Sequence, residues 1–193
     1  DNFILLAVPL FILMANVLLR GGAGDDLFNA VQTWVGHWPG GLAVATILSC
    51  ALFSSISGSS VATAATIGTV AIPAMISRGY ERRFVYGLLA AGGTIGILIP
   101  PSIPMIVFGF VMSESIVDLF LAGIGPGLLL TAVFVIYAVV RSHFWGGQSR
   151  TERCSWDQRR RATIKALPIL VLALLILSGI YFGVFTPTEA AGV

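Results

Sequence analysis

The stretch S-I-S-G-S-S-V-A-T-A-A-T, Ser55 to Thr66, decides the fold. It is built from small and hydroxyl-bearing residues, carries no charge, and sits between two apolar runs, Leu42 to Ile56 and Val61 to Ile76. In hydrocarbon every backbone N–H and C=O needs an internal partner, so a helix is interrupted there only where protein or a polar cavity covers the break. Each flanking run has about 16 residues, against the ~20 that a crossing needs. Two short arms joined through S-G-S-S therefore predict a re-entrant helical hairpin over 42–77.

A second island follows in the next apolar segment. G-G-T-I-G-I-L-I-P-P-S-I-P, Gly92 to Pro104, interrupts the long run from Phe84 to Met112. Pro100 and Pro101 lack an N–H, so in a continuing helix the carbonyls of Gly96 and Ile97 lose their donors. Pro101-Ser102 reads as a helix restart, with a preset φ and a short hydroxyl side chain. The expectation is a broken helix over 84–112. Paired interruptions at membrane depth point to an ion and substrate site in a secondary transporter.

Composition agrees. Hydrophobic residues make up 56% of the 193 and charged residues 10%, with a mean hydropathy of +0.93. Soluble domains carry roughly a quarter charged residues, so this is an integral membrane protein embedded in the lipid bilayer. Asp1 and Asn2 run directly into F-I-L-L-A-V-P-L with no initiator Met, basic segment or cleavage site. The chain is thus expected to be a fragment, and its end, F-T-P-T-E-A-A-G-V, to open a further element. Cys50 in an apolar run and Cys154 in a polar loop form no disulfide framework or metal motif.

The remaining segments fall into place around the two islands. Phe3 to Leu19 is a span. Gly24 to Trp38, with Leu27, Phe28, Val31, Trp34 and Val35 at helical spacing, predicts an amphipathic helix at the interface. Leu119 to Val140 and Ala166 to Phe185 read as uninterrupted spans. The expected organisation is 1–41 as a scaffold-type span with an interfacial helix and 42–112 as half of a transport domain. Residues 113–193 are then further spans joined by a basic cytoplasmic loop over 141–165. If 42–77 enters and leaves on one side, every Arg and Lys falls in loops on a single face, which marks that face as cytoplasmic. The loop Ser113 to Asp118 carries only Glu114 and Asp118.

At the hairpin tip the last carbonyls of one arm and the first N–H groups of the other lack helical partners. The carbonyl end and the hydroxyls of Ser57, Ser59 and Ser60 suit a small cation, and the N–H end suits an anionic group. Gly58 permits the tight turn. Close helix packing by small residues accounts for the same composition, and Thr63 and Thr66 can bond back within their own helix. Gly92 and Gly96 likewise fit a packing pair as well as an unwinding point. Asn16 fits an interhelical hydrogen bond or a polar path, His37 a structural role, and the basic loop a solvated connection rather than a nucleic-acid surface.

The segments G-G-L-A-V-A-T-I-L-S-C-A-L-F-S-S-I-S-G-S-S-V-A-T-A-A-T-I-G, I-P-A-M-I-S-R-G-Y, A-A-G-G-T-I-G-I-L-I-P-P-S-I-P-M-I-V-F-G and F-T-P-T-E-A-A resemble the large, DctM-like membrane subunit of tripartite ATP-independent periplasmic (TRAP) transporters. The resemblance covers nearly the whole chain. It implies an all-α polytopic fold of the ion-transporter superfamily, built from inverted repeats of which this chain holds one, with an elevator-like transport domain. It further implies sodium-coupled import of organic acids, C4-dicarboxylates or similar carboxylates, across the bacterial inner membrane. The implied partners are a small membrane subunit and a periplasmic solute-binding protein, with no organic cofactor. Carried to this sequence, the first sodium site involves Ser57, Gly58, Ser59 and Ser60 with Gly93, Thr94, Gly96 and Ile97. Substrate candidates are Ser59, Ser60, Val61, Pro101 and Ser102. Many members carry an acidic residue where Thr63 stands.

Two other classes use the same features. An ion channel also lines its path with carbonyls, but through an open multi-ion pore rather than an isolated pair of breaks. An intramembrane serine hydrolase needs a base within hydrogen-bond reach of its nucleophile, and the predicted spans contain no His or Lys.

Overall fold

A computed structural model describes residues 3–144, 154–186 and 189, and all regular structure among them is helical. The order is α1 (Phe3–Arg20), α2 (Ala23–Val35), α3 (Gly41–Ser57), α4 (Ser60–Ile76), α5 (Arg82–Thr94), a 3₁₀ turn (Ile95–Ile97), α6 (Ile103–Met112), α7 (Ile116–Phe144) and α8 (Trp156–Tyr181). By length and composition, α7 and α8 can each cross a membrane, and α1 and α2, bent by 66°, pass as a third span when taken together.

α3 is the central element. Its residues from Gly41 to Ile47 are all buried, as are Phe53 to Ser57, and it packs on α2, α4, α5 and α7. A helix that is apolar all round belongs in an interior. α4 folds back along it, turning at Gly58, whose φ of 59° lies in the left-handed region. Ser59 follows in extended conformation, and its Oγ accepts from the Ala62 N–H, which caps α4.

The base of this hairpin shares one end of the molecule with the end of α7. A Cβ on Gly40 would run into Ser142, and the Arg141 guanidinium donates to the Glu81 carboxylate across 3.1 Å. The start of α8 joins the same end through Trp34, whose Nε1–H donates to Thr163 Oγ1 at 3.1 Å while Arg159 lies over its ring. A second, smaller core at the far end unites Ala7 and Phe11 of α1, Ile106 of α6, Phe120 of α7, and Ile176 and Ile180 of α8.

Two of the expected segments carry more structure than the sequence alone indicates. α2 buries Leu27, Phe28 and Ala30 against α3 and α8, and Gly24 lets it press directly onto Thr66 of α4. The first turn of its apolar stripe, Leu27 and Phe28, is covered by protein, whereas Trp34 is 43% exposed. The stretch 141–165 is helical at both ends, because α7 runs on to Phe144 and α8 starts at Trp156. There Ser155 and Gln158 form a reciprocal capping box. Arg150 and Arg153 of that stretch, and most of the terminal F-T-P-T-E-A-A-G-V, lie outside the described residues.

Candidate functional site: the hairpin tip and its facing turn

Three hydroxyls meet beneath the tip. Thr63 Oγ1 lies 3.2 Å from Ser54 Oγ and 3.1 Å from Ser57 Oγ, and all three residues have no solvent exposure. The geometry follows from the turn: Ser54 stands four residues before Gly58 and Thr63 four after Ser59, so successive helical turns bring them face to face. Each hydroxyl retains acceptor capacity beyond these contacts. The cluster sits at the C-terminal end of α3, where the helix dipole favours positive charge.

The segment after α5 closes over this cluster. A Cβ on Gly96 would lie 3.1 Å from Ser54 Oγ and 3.2 Å from the Ser60 nitrogen. One on Gly93 would lie 3.0 Å from the Ala64 Cβ and 3.1 Å from the Ser60 carbonyl oxygen, and one on Gly92 2.9 Å from Cys50 Sγ. These glycines therefore serve close approach, and Gly96 brings its backbone to the hydroxyls. Beyond the 3₁₀ turn, the Ser102 hydroxyl donates to the Ile97 carbonyl at 2.7 Å. The Ile103 N–H donates to the Gly58 carbonyl at 3.1 Å. The Pro100–Pro101 peptide between them is cis.

The sequence-derived ligands separate accordingly. Ser57 and Gly96 reach the hydroxyl cluster, and Gly93 supports it from the side. Ser60 is half-buried and adjoins both Gly93 and Gly96. The Gly58 and Ile97 carbonyls are already hydrogen-bonded, and Ser59 is engaged as a cap. Thr94 is exposed and its hydroxyl turns back to the Ala91 carbonyl at 2.7 Å. That backward bond is the usual outlet for a helical threonine. Ser54 and Thr63 were not among the sequence-derived ligands, and Thr63 bonds across the hairpin rather than back along α4. Their symmetric spacing about Gly58-Ser59 is the signal in the sequence, and the packing of α3 on α4 gives it meaning.

Of the substrate candidates, Pro101 and Ser102 are buried and occupied by backbone and tip contacts. Ser59 and Val61 instead line a cleft between α4 and α1 together with Asn16 and Ile12. Val61 is 77% exposed there. Asn16 donates its Nδ2 proton to the Ile12 carbonyl at 2.8 Å, which leaves its side-chain oxygen as an acceptor.

The donor set fits a hard cation such as sodium. It consists of three hydroxyl oxygens, with no His, Cys, Asp or Glu cluster among the described residues. Oxygen ligands suit hard cations. Half-helix carbonyl ends are the membrane-protein form of such sites.

An interrupted bundle of apolar helices around a buried, neutral oxygen cluster is the architecture of an integral membrane transport component. The profile described as "Tripartite ATP-independent periplasmic transporter, DctM component" matches residues 1–193, and the chain belongs to that family. It is 45% identical over 188 residues to an ectoine/5-hydroxyectoine TRAP transporter large permease protein of Ruegeria pomeroyi, covering 97% of this chain and 44% of the relative. It is 44% identical over 195 residues to a C4-dicarboxylate TRAP transporter large permease protein of Pseudomonas aeruginosa, covering 100% and 45%. To an isethionate TRAP transporter permease protein, DctMQ, of Oleidesulfovibrio alaskensis it is 40% identical over 191 residues, covering 99% and 30%. The chain thus spans less than half the length of these relatives. They are permeases and not enzymes, which sets the hydrolase reading aside.

Proposed function

We propose that this chain forms one half of the transport unit of a sodium-coupled permease that imports organic acids across the bacterial inner membrane. The observation that carries the reading is the Ser54–Thr63–Ser57 cluster held against Gly96. Its hydroxyl oxygens, at the carbonyl end of α3, would hold one sodium ion. When bound, that ion supplies the positive charge that couples the gradient to the movement of an anion. The residues of the chain position it: Gly58 sets the turn, Ser102 and Ile103 fix the facing segment, and Gly92, Gly93 and Gly96 permit close contact. The N–H groups at the start of α4 and the cleft beside Asn16 and Val61 suit the anionic end of a carboxylate.

Re-entrance of α3–α4 is part of this proposal and rests on length. Arms of 17 residues rise ~25 Å, short of a ~30 Å hydrocarbon core. The hairpin base packs beside Ser142 of α7, and the segment facing its tip packs against Gly123 and Gly127 of the same helix. On the α7 axis these levels lie roughly 22 to 28 Å apart. The tip then stops inside the membrane, and α5, the 3₁₀ turn and α6 form one interrupted crossing. The basic end faces the cytoplasm.

The relatives carry ectoine, C4-dicarboxylate and isethionate in their names, and a carboxylate-bearing organic acid is the class we assign. A second inverted repeat, a small membrane subunit and a periplasmic solute-binding protein complete the system. Reconstituting the full-length permease with those partners, and measuring uptake of candidate organic acids with and without a sodium gradient, tests the reading. Uptake that ignores sodium overturns it.

A further inference from the structure

Gly87 stands apart from the glycines that follow it in α5 and the 3₁₀ turn. Gly92, Gly93 and Gly96 each have a neighbouring atom within 3.1 Å of where a Cβ would sit, whereas a Cβ on Gly87 would meet nothing within 4 Å. Glycine in a helix interior weakens the helix relative to alanine, so its presence in mid-α5 calls for another reason. Gly87 forms the floor of an open cleft between α5 and α7. Phe84 and Ala91 wall it on one side, Phe134 and Tyr137 on the other, and Arg83 lines its mouth.

The chemistry of this cleft changes along its length. From Arg83 to Ala91 it follows α5 for about 12 Å, and its walls are aromatic and aliphatic. Its mouth lies at the basic end, beside the Arg141–Glu81 pair, and presents the Arg83 guanidinium together with the half-exposed Tyr137. Both bear hydrogen-bond donors. α7 is one of the helices able to cross the membrane, and the inference rests on the topology proposed above, in which the apolar walls meet hydrocarbon while Arg83 lies at headgroup level.

We propose that the α5–α7 cleft is a binding site for an anionic phospholipid, with one acyl chain over Gly87 and its phosphate against Arg83. Burial of methylenes supplies the affinity, and the cation selects the headgroup. The site is separate from the hairpin tip and does not depend on what is transported.

The test uses the full-length permease in vesicles of equal phosphatidylglycerol and phosphatidylcholine, extracted in mild detergent and weighed with its bound lipid by native mass spectrometry. The wild-type protein is expected to retain phosphatidylglycerol preferentially. Arg83→Gln should lower that preference about fivefold, the effect of one cation near a lipid surface, and Arg83→Lys should keep it. Gly87→Leu should remove the retained lipid of either kind while preserving helical content. The Arg83 pair decides the matter alone if Gly87→Leu does not fold. Retention unchanged in Arg83→Gln, no retention by the wild type, or cross-linking of Gly87→Cys to another segment of the permease overturns the proposal.

Discussion

The Ile103 N–H donates to the Gly58 carbonyl across 3.1 Å, tying the hairpin tip to the first residue of α6. The bond answers two problems at once. Gly58 ends α3 with a carbonyl that no intrahelical donor reaches, and Ile103 begins α6 with an N–H that no intrahelical acceptor reaches. Each satisfies the other inside an apolar bundle, where an unpaired group is costly.

Gly58→Ala is expected to weaken the fold by roughly 1 to 2 kcal/mol from the left-handed conformation alone. The added Cβ would also stand 2.7 Å from the Pro101 carbonyl oxygen, so the Ile103 bond should break as well. Thermal unfolding of the detergent-solubilised protein reads the loss. A melting temperature equal to that of the wild type would contradict the tip geometry.

Thr63→Val keeps the volume of the side chain but removes the hydroxyl that joins Ser54 to Ser57. Two buried hydroxyls then lose a partner, at about 1 to 3 kcal/mol each. In the full-length permease, Thr63→Val should raise the sodium concentration needed for half-maximal uptake, and Thr63→Ser should restore it. An unchanged sodium dependence in Thr63→Val removes this cluster from the sodium site.

Ser102→Ala leaves the Ile97 carbonyl without its donor, a loss of roughly 1 to 3 kcal/mol. Combined with Thr63→Val, it should show a coupling of about 0.5 to 3 kcal/mol if the facing segment and the hydroxyl cluster respond as one unit. Strict additivity in unfolding measurements would mean that they do not.

Cysteine labelling checks the topology. Native Cys154 and an introduced Ser77→Cys should react from the cytoplasmic face, and Ser115→Cys, between α6 and α7, from the opposite face. Reaction of Cys154 and Ser77→Cys from different faces contradicts the two crossings, α5–α6 and α7, that separate them.

The turn at Gly58 was legible because its local chemistry is unambiguous: one flexible residue among hydroxyls, between arms of matched length. Loss of a donor at the Ile97 carbonyl was legible too, since proline has no N–H wherever it sits. Its capping by Ser102 was not, because a serine before a helix ordinarily caps that helix, whereas this one turns backward. Thr63 was obscure for a related reason. A threonine that bonds to its own helix and one that bonds across a hairpin have the same sequence signature, and only the pairing of α3 with α4 separates them. The glycines of α5 needed the packed structure, since close approach and open space leave no different mark on the chain.

The burial of α3 also dictates an order of assembly. Its walls include α7, and Gly40 at its base meets Ser142, about a hundred residues later in the chain. At ribosomal speeds of roughly 5 to 20 residues per second, the hairpin emerges on the order of ten seconds before the helix that encloses it. During that interval the base of the hairpin is without its final neighbour, so the biosynthetic machinery or the surrounding lipid must cover that side of α3.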